Sequence, residues 1–148
     1  MYVDKLFEFG DGVTAVATSG AITPMVGSID KGAALNDLGA GEQLFVVFQV
    51  DTAVDSAGHG ASLTFQIIDD DNAALSSGAV LAETAAIAQA SLVAGYQIAL
   101  ALPQGSTQRY LGAAVKATGE STTSGTISAF LTKTVPFNVN YPTGFTVL

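Results

Sequence analysis

The chain has one histidine, His59, between Gly58 and Gly60 in the polar run Asp55-Ser56-Ala57-Gly58-His59-Gly60. An imidazole near a serine is the raw material of nucleophilic catalysis, in which a base held by a carboxylate takes the hydroxyl proton. A loop flanked by glycines fixes an imidazole poorly, so His59 is expected to be an exposed turn residue and no catalytic residue is assigned. Zinc needs three or four His, Cys or carboxylate ligands, and a chain with no cysteine and one histidine offers little towards such a set.

Asp69-Asp70-Asp71-Asn72 is the one dense acidic cluster, and oxygen-rich loops can hold Ca²⁺. It departs from the EF-hand pattern, because Ala73 falls at the fifth position and no glycine follows at the sixth. A solvated strand end with Asx-turn geometry is the simpler expectation, so no metal residue is assigned. Two of the thirteen acids could meet as a glycosidase pair, yet nothing in the spacing favours it and the absence of Trp removes the usual sugar-stacking surface. Phosphate-loop and dinucleotide fingerprints are missing, so no cofactor is expected. Arg109, the sole arginine, carries a fork suited to a carboxylate on this chain or on a neighbour.

The elements around these residues are short and extended. Val13/Ala15/Ala17, Leu63/Phe65/Ile67, Tyr96/Ile98/Leu100/Leu102, Leu111/Ala113/Val115 and Ile127/Ala129/Leu131 alternate with polar or small residues, the period at which a strand presents one face. From Gln43 to Val50 both faces are apolar, which predicts a central strand covered on one side by the core and on the other by a loop or a partner. Turn clusters separate the runs at 10–12, 19–20, 39–41, 55–60, 104–106 and 118–121. Residues 72–95 are Ala-rich and less regular, and a short helix or irregular excursion is expected near 73–79 with extended structure after it. The expected fold is all-β: a single-domain, jelly-roll-like antiparallel β-sandwich over residues 1–148, with extended arms at about 1–12 and 134–148.

Charged residues make up only 12% of the chain and the net charge is −8, against about 25% charged in an average soluble domain. The four lysines and one arginine are scattered singly, so no basic stripe exists for nucleic acid or for an anionic membrane. The longest apolar runs are strand-sized, well below the roughly 20 residues of a spanning helix. The first residues mix acids with aromatics and do not read as a secretory signal. Of the twelve Phe and Tyr residues, Tyr2, Phe7 and Phe9 stand near the start, and Phe137, Tyr141 and Phe145 near the end. Aromatic ends must dock, either in their own sheet or on a neighbouring subunit. With Arg109, these six are the candidate interface residues.

Met1-Tyr2-Val3-Asp4, Asn36-Asp37-Leu38-Gly39-Ala40-Gly41-Glu42 leading into Leu44-Phe45-Val46-Val47 and ending at Asp51, Phe65-Gln66-Ile67 followed by Asp71-Asn72-Ala73-Ala74-Leu75-Ser76-Ser77, Arg109-Tyr110-Leu111-Gly112, and Ala129-Phe130-Leu131 occur in that order along the chain. In these stretches the sequence resembles the capsid cement, or decoration, proteins of tailed bacteriophages, of the type first described in a Bordetella phage. The resemblance implies a non-enzymatic jelly-roll subunit of the virion. It would be made in the host cytoplasm and seated on the outer capsid surface, where it associates with itself near a symmetry axis, as a dimer rather than a trimer, and bridges major capsid protein subunits. A carbohydrate-binding β-sandwich of a tail or fibre is the alternative from another class, and a small hydrolase or lyase built on His59 or an acid pair is a third.

Overall fold

The computed structural model describes residues 4–32, 38 and 41–135. Alternating apolar positions become nine strands among them: β1 (Glu8–Thr14), β2 (Ile22–Asp30), β3 (Phe45–Ser56), β4 (Ser62–Asp70), β5 (Ala79–Glu83), β6 (Ile87–Ala88), β7 (Gln97–Ala101), β8 (Tyr110–Thr118) and β9 (Thr122–Thr132). Sheet A has the order β1-β9-β3-β7 and sheet B the order β2-β8-β4-β5, with the two-residue β6 also on β4. Every paired strand is antiparallel. The chain passes back and forth between the sheets, and this interleaved order is that of a jelly roll.

The core lies between the sheets. Val46, Phe48 and Val50 of β3 and Ile127, Ala129 and Leu131 of β9 face Leu63, Phe65 and Ile67 of β4 and Leu111, Ala113 and Val115 of β8. The rings of Phe48 and Phe65 meet across the layers with centroids 5.0 Å apart. Each such side chain contributes about 1.5–3 kcal/mol by leaving water, which explains how so weakly charged a chain holds together without disulfides. As expected, β3 is central in its sheet.

Three segments differ from the sequence reading. Gly10-Asp11-Gly12 is part of β1 and not a turn; Gly12 has φ +57°, and the register with β9 slips on both sides of Gly10. Glycine accommodates a bulge that mimics a turn in sequence. Residues 8–12, expected in an N-terminal arm, are therefore an integral strand. Beyond Thr14 the alternation of Val13/Ala15/Ala17 continues without a strand: Ala15 and Ala17 are buried as the chain crosses to sheet B, pinned by Thr122, whose hydroxyl accepts from Ala17 N–H at 2.7 Å and donates to Ala15 C=O. β2 had no signal, because its register slips between Pro24 and Ser28, turning Met25 inward and leaving Val26 86% exposed. The 72–95 segment is an irregular excursion followed by β5, β6 and a 3-10 turn, Gln89–Ser91.

Candidate interaction surface

The residues with chemical potential form closed polar clusters. His59 has φ +57°, its ring is 74% exposed, and Nδ1 lies 2.7 Å from Asp55 Oδ1. Gln89 Nε2 donates to the same oxygen at 2.9 Å. The buried Ser56 hydroxyl lies 2.6 Å from Gln89 Oε1 and 2.9 Å from Glu120 Oε2, so it faces an amide and a carboxylate instead of the imidazole. Glu120 also accepts from the N–H groups of Gly58 and Gly60. Its carboxyl is held below the usual range by the Ser56 hydroxyl and these N–H groups, and that of Asp55 by the His59 hydrogen bond and Ser56 N–H. Such an arrangement pins two turns together. Glu120 escaped the sequence reading; its only signal is an acid in one glycine turn, with no indication that it would meet another.

The acidic cluster is not solvated at its start. Asp69 and Asp70 are 2% and 3% exposed. Asp69 Oδ2 accepts from Ser106 Oγ and from the N–H groups of Thr107 and Gln108. Asp70 accepts from Ser77 N–H at 2.8 Å and Asn72 N–H at 3.2 Å, and the Ser77 N–H is the main cause of its lowered pKa. Backbone donors thus take the oxygens that a cation would need, in part through the expected Asx geometry. Among the described residues no group of three or more His, Asp and Glu converges as a metal site.

Arg109 forks onto its own chain, with Nε and Nη2 donating to the two carboxylate oxygens of Asp30 at 2.8 and 2.7 Å. This contact, with help from Gly32 N–H, lowers the Asp30 pKa to about 2. Its fork is therefore engaged within the subunit.

Apolar side chains form a row at one end of sheet A. Because Val46, Phe48 and Val50 point inward, Phe45 and Val47 point outward, and the register sets Phe130 and Ala99 beside Val47. Val47 and Phe130 are nonetheless 0% and 6% exposed, and both stand outside the two core clusters. Further along the same face the side chains turn polar: Ser128 donates to Asp51 and Gln49 lies beside them. At the apolar end, Phe7, Leu38, Leu44, Leu131, Thr132 and Lys133 line a groove of about 320 Å³. Phe7 is 43% exposed and Leu6 78%, on the 3-10 turn Lys5–Phe7 that Asp4 caps.

Of the candidate interface residues, Phe9 is a correction: it is fully buried in the core, since strand alternation turns it inward from β1. Phe7 lies at the surface groove and Arg109 at an ion pair distant from it in sequence and sheet. Tyr2, Phe137, Tyr141 and Phe145 lie outside the described residues.

Strand order and pairing together define a jelly-roll β-sandwich protein. The chain belongs to the Bbp16 family, whose model matches residues 8–131, a family named for a Bordetella phage protein. The matched span runs from the first residue of β1 to the penultimate residue of β9, so it covers the sandwich. No curated protein matches the chain.

Proposed function

We propose that this protein is a non-enzymatic structural component of the virion, one that binds the outer surface of a phage capsid and bridges neighbouring major capsid protein subunits. The observation that carries this reading is the apolar groove lined by Phe7, Leu38 and Leu44 at one end of the sandwich, next to the half-buried Phe45, on a chain only 12% charged. Contacts repeated by capsid symmetry add up, so a modest apolar patch is sufficient for stable seating. A net charge of −8 suits a shell exterior away from packaged DNA. Membership of a phage family supports the same direction. The protein is its own second partner, as a dimer, because a two-fold contact is the simplest closed arrangement.

Co-sedimentation of the purified protein with capsids of its phage tests this. The expected result is near-stoichiometric recovery with the major capsid protein, reduced by Phe45→Ser. Recovery of a few copies per particle, or none, overturns it.

A further inference from the structure

We propose that the outer edge of β7 is a self-association edge, on which β7 of a second copy pairs antiparallel across a two-fold axis at Ala99. The proposal rests on the self-association in the reading above and assigns it a surface.

Sheet edges expose unpaired N–H and C=O groups, and proteins usually blunt them with charges, prolines or bulges. Three edges here are blunted. β1 carries Glu8, Asp11 and two register slips, β2 carries Pro24 and a slip, and β5 carries Glu83 and a slip against β4. β7 has none of these devices: Gln97-Ile98-Ala99-Leu100-Ala101 lacks charge and proline, and it pairs with β3 over five successive residues without a shift. Leu102 N–H donates to Leu44 C=O and Val50 N–H to Tyr96 C=O. Antiparallel alternation then directs the N–H and C=O of Ile98 and Leu100 to β3, and turns those of Gln97, Ala99 and Ala101 outward. Among the described residues no strand lies beyond them.

The core is less completely closed along this edge. On the opposite flank of the sandwich β1 and β2 meet so closely that a Cβ on Gly27 would stand 2.8 Å from the carbonyl oxygens of Glu8 and Phe9, and Phe9 and Met25 are buried there. On the β7 flank Ile98 and Leu100, with Tyr96 just before them, Leu81 and Ala82 of β5 and Ile87 of β6 all pack against the core yet stay only partly buried. A partner that closes this flank must supply backbone pairing and inward-facing aliphatic side chains together.

A second β7 supplies both. Set antiparallel with Ala99 opposite Ala99, the two strands pair Gln97 with Ala101 and Ala101 with Gln97. The outward groups of each copy then face those of the other and exchange about six hydrogen bonds. The same register places Ile98 opposite Leu100 of the second copy, at non-hydrogen-bonded positions where Cα atoms stand about 4.5 Å apart and side chains meet, so the two aliphatic flanks close on each other. Ala99 leaves room on the axis, and a β7 without charge lets two chains of net charge −8 meet without local repulsion. Glu83, the acid on the neighbouring edge, is held by Gln66, whose Nε2 donates to it at 2.8 Å. Because the contact is isologous, it uses up both edges and ends at a dimer.

The chain has no cysteine, so single thiols report the register. Under mild oxidation, full-length Ala99→Cys should form a disulfide dimer, since Cα atoms of a hydrogen-bonded antiparallel pair stand about 5.5 Å apart. Gln97→Cys mixed with Ala101→Cys should give a dimer containing one of each, about tenfold above either self-crosslink, as a fixed effective concentration requires. Equal crosslinking in every combination, or none, overturns the proposal. Ala99→Pro removes an outward N–H and spares the bonds to β3, and Ala99→Lys sets two like charges face to face. Each should shift sedimentation from dimer to monomer with the circular dichroism unchanged, and the lysine variant decides if the proline variant unfolds. A persistent dimer in a folded variant, or a monomeric parent chain, overturns the proposal. Register-specific crosslinks in a protein that fails to bind capsids would leave the strand pairing standing and remove the capsid reading; capsid binding by a protein that gives none would do the reverse.

Discussion

On the outer face of sheet B the excursion after β4 folds back, so that Leu75 packs on Ile68 and Ala114 with Tyr110 at the margin, whereas at one end of sheet A Phe7, Leu38 and Leu44 line an open apolar groove. The sheet B cover needs special geometry. Leu75 takes φ +53°, a conformation that disfavours a branched side chain, and its methyl lies where a Cβ on Gly112 would stand. Asp70 holds the returning backbone at Ser77. On the outer face of sheet A, Val47 and Phe130 are likewise closed off, at 0% and 6% exposed. Sheet B's outer face is thus closed with a strained residue and a backbone clamp, whereas the groove at Phe7 stays open.

The largest expected effect sets the baseline for both faces. Phe9→Ala, in the core between the sheets, should destabilise the fold by about 3–5 kcal/mol, measured by urea denaturation, whereas Phe7→Ala two residues earlier should change stability little and act on association. Equal losses at the two positions would mean that the groove at Phe7 belongs to the core.

Leu75→Ala comes next, at about 2–4 kcal/mol for a fully buried leucine, with capsid recovery unchanged. If capsid recovery fell with stability intact, the sheet B face would be the docking face and the comparison would reverse. Phe45→Ser on sheet A should cost about 1 kcal/mol for a half-buried ring, while lowering association and capsid recovery. A variant that loses stability alone would make Phe45 part of the subunit's own packing.

Much of the sandwich was legible because strand alternation reports burial directly. Leu63/Phe65/Ile67, Leu111/Ala113/Val115 and Ile127/Ala129/Leu131 are all inward-facing triplets, and the doubly apolar Gln43 to Val50 marked β3. β2 and the first half of β1 were hidden by bulges, since each extra residue inverts the phase on which the reading depends. The polar clusters were invisible for another reason: Ser56 meets Glu120, and Asp69 meets Ser106, across long sequence separations that one sequence without its topology does not pair. Phe9 was misassigned because aromatic content near a terminus says nothing about which side of a strand carries it.

The smallest expected effect is electrostatic and again separates the faces. Asp30, with a pKa near 2, and Asp70 both stand on sheet B, and both carboxyls are lowered in the folded chain. The unfolded chain therefore binds their protons more readily, at about pH 3.9 for an ordinary aspartate. Their contribution is complete above that value and is lost as the pH falls below about 4, for Asp30 towards about 2. Urea midpoints should thus hold steady from neutral pH down to about 4 and then drop. Asp70→Asn should lower stability at neutral pH and flatten the acid drop, because Asn at 70 keeps an acceptor for Ser77 N–H but no longer titrates. Asp30→Asn should flatten it less, since its pair with Arg109 is half-exposed and screened by solvent. An acid drop unaltered in both variants would place the titrating groups elsewhere, with Asp55 and Glu120 at the turn cluster as the next pair to replace.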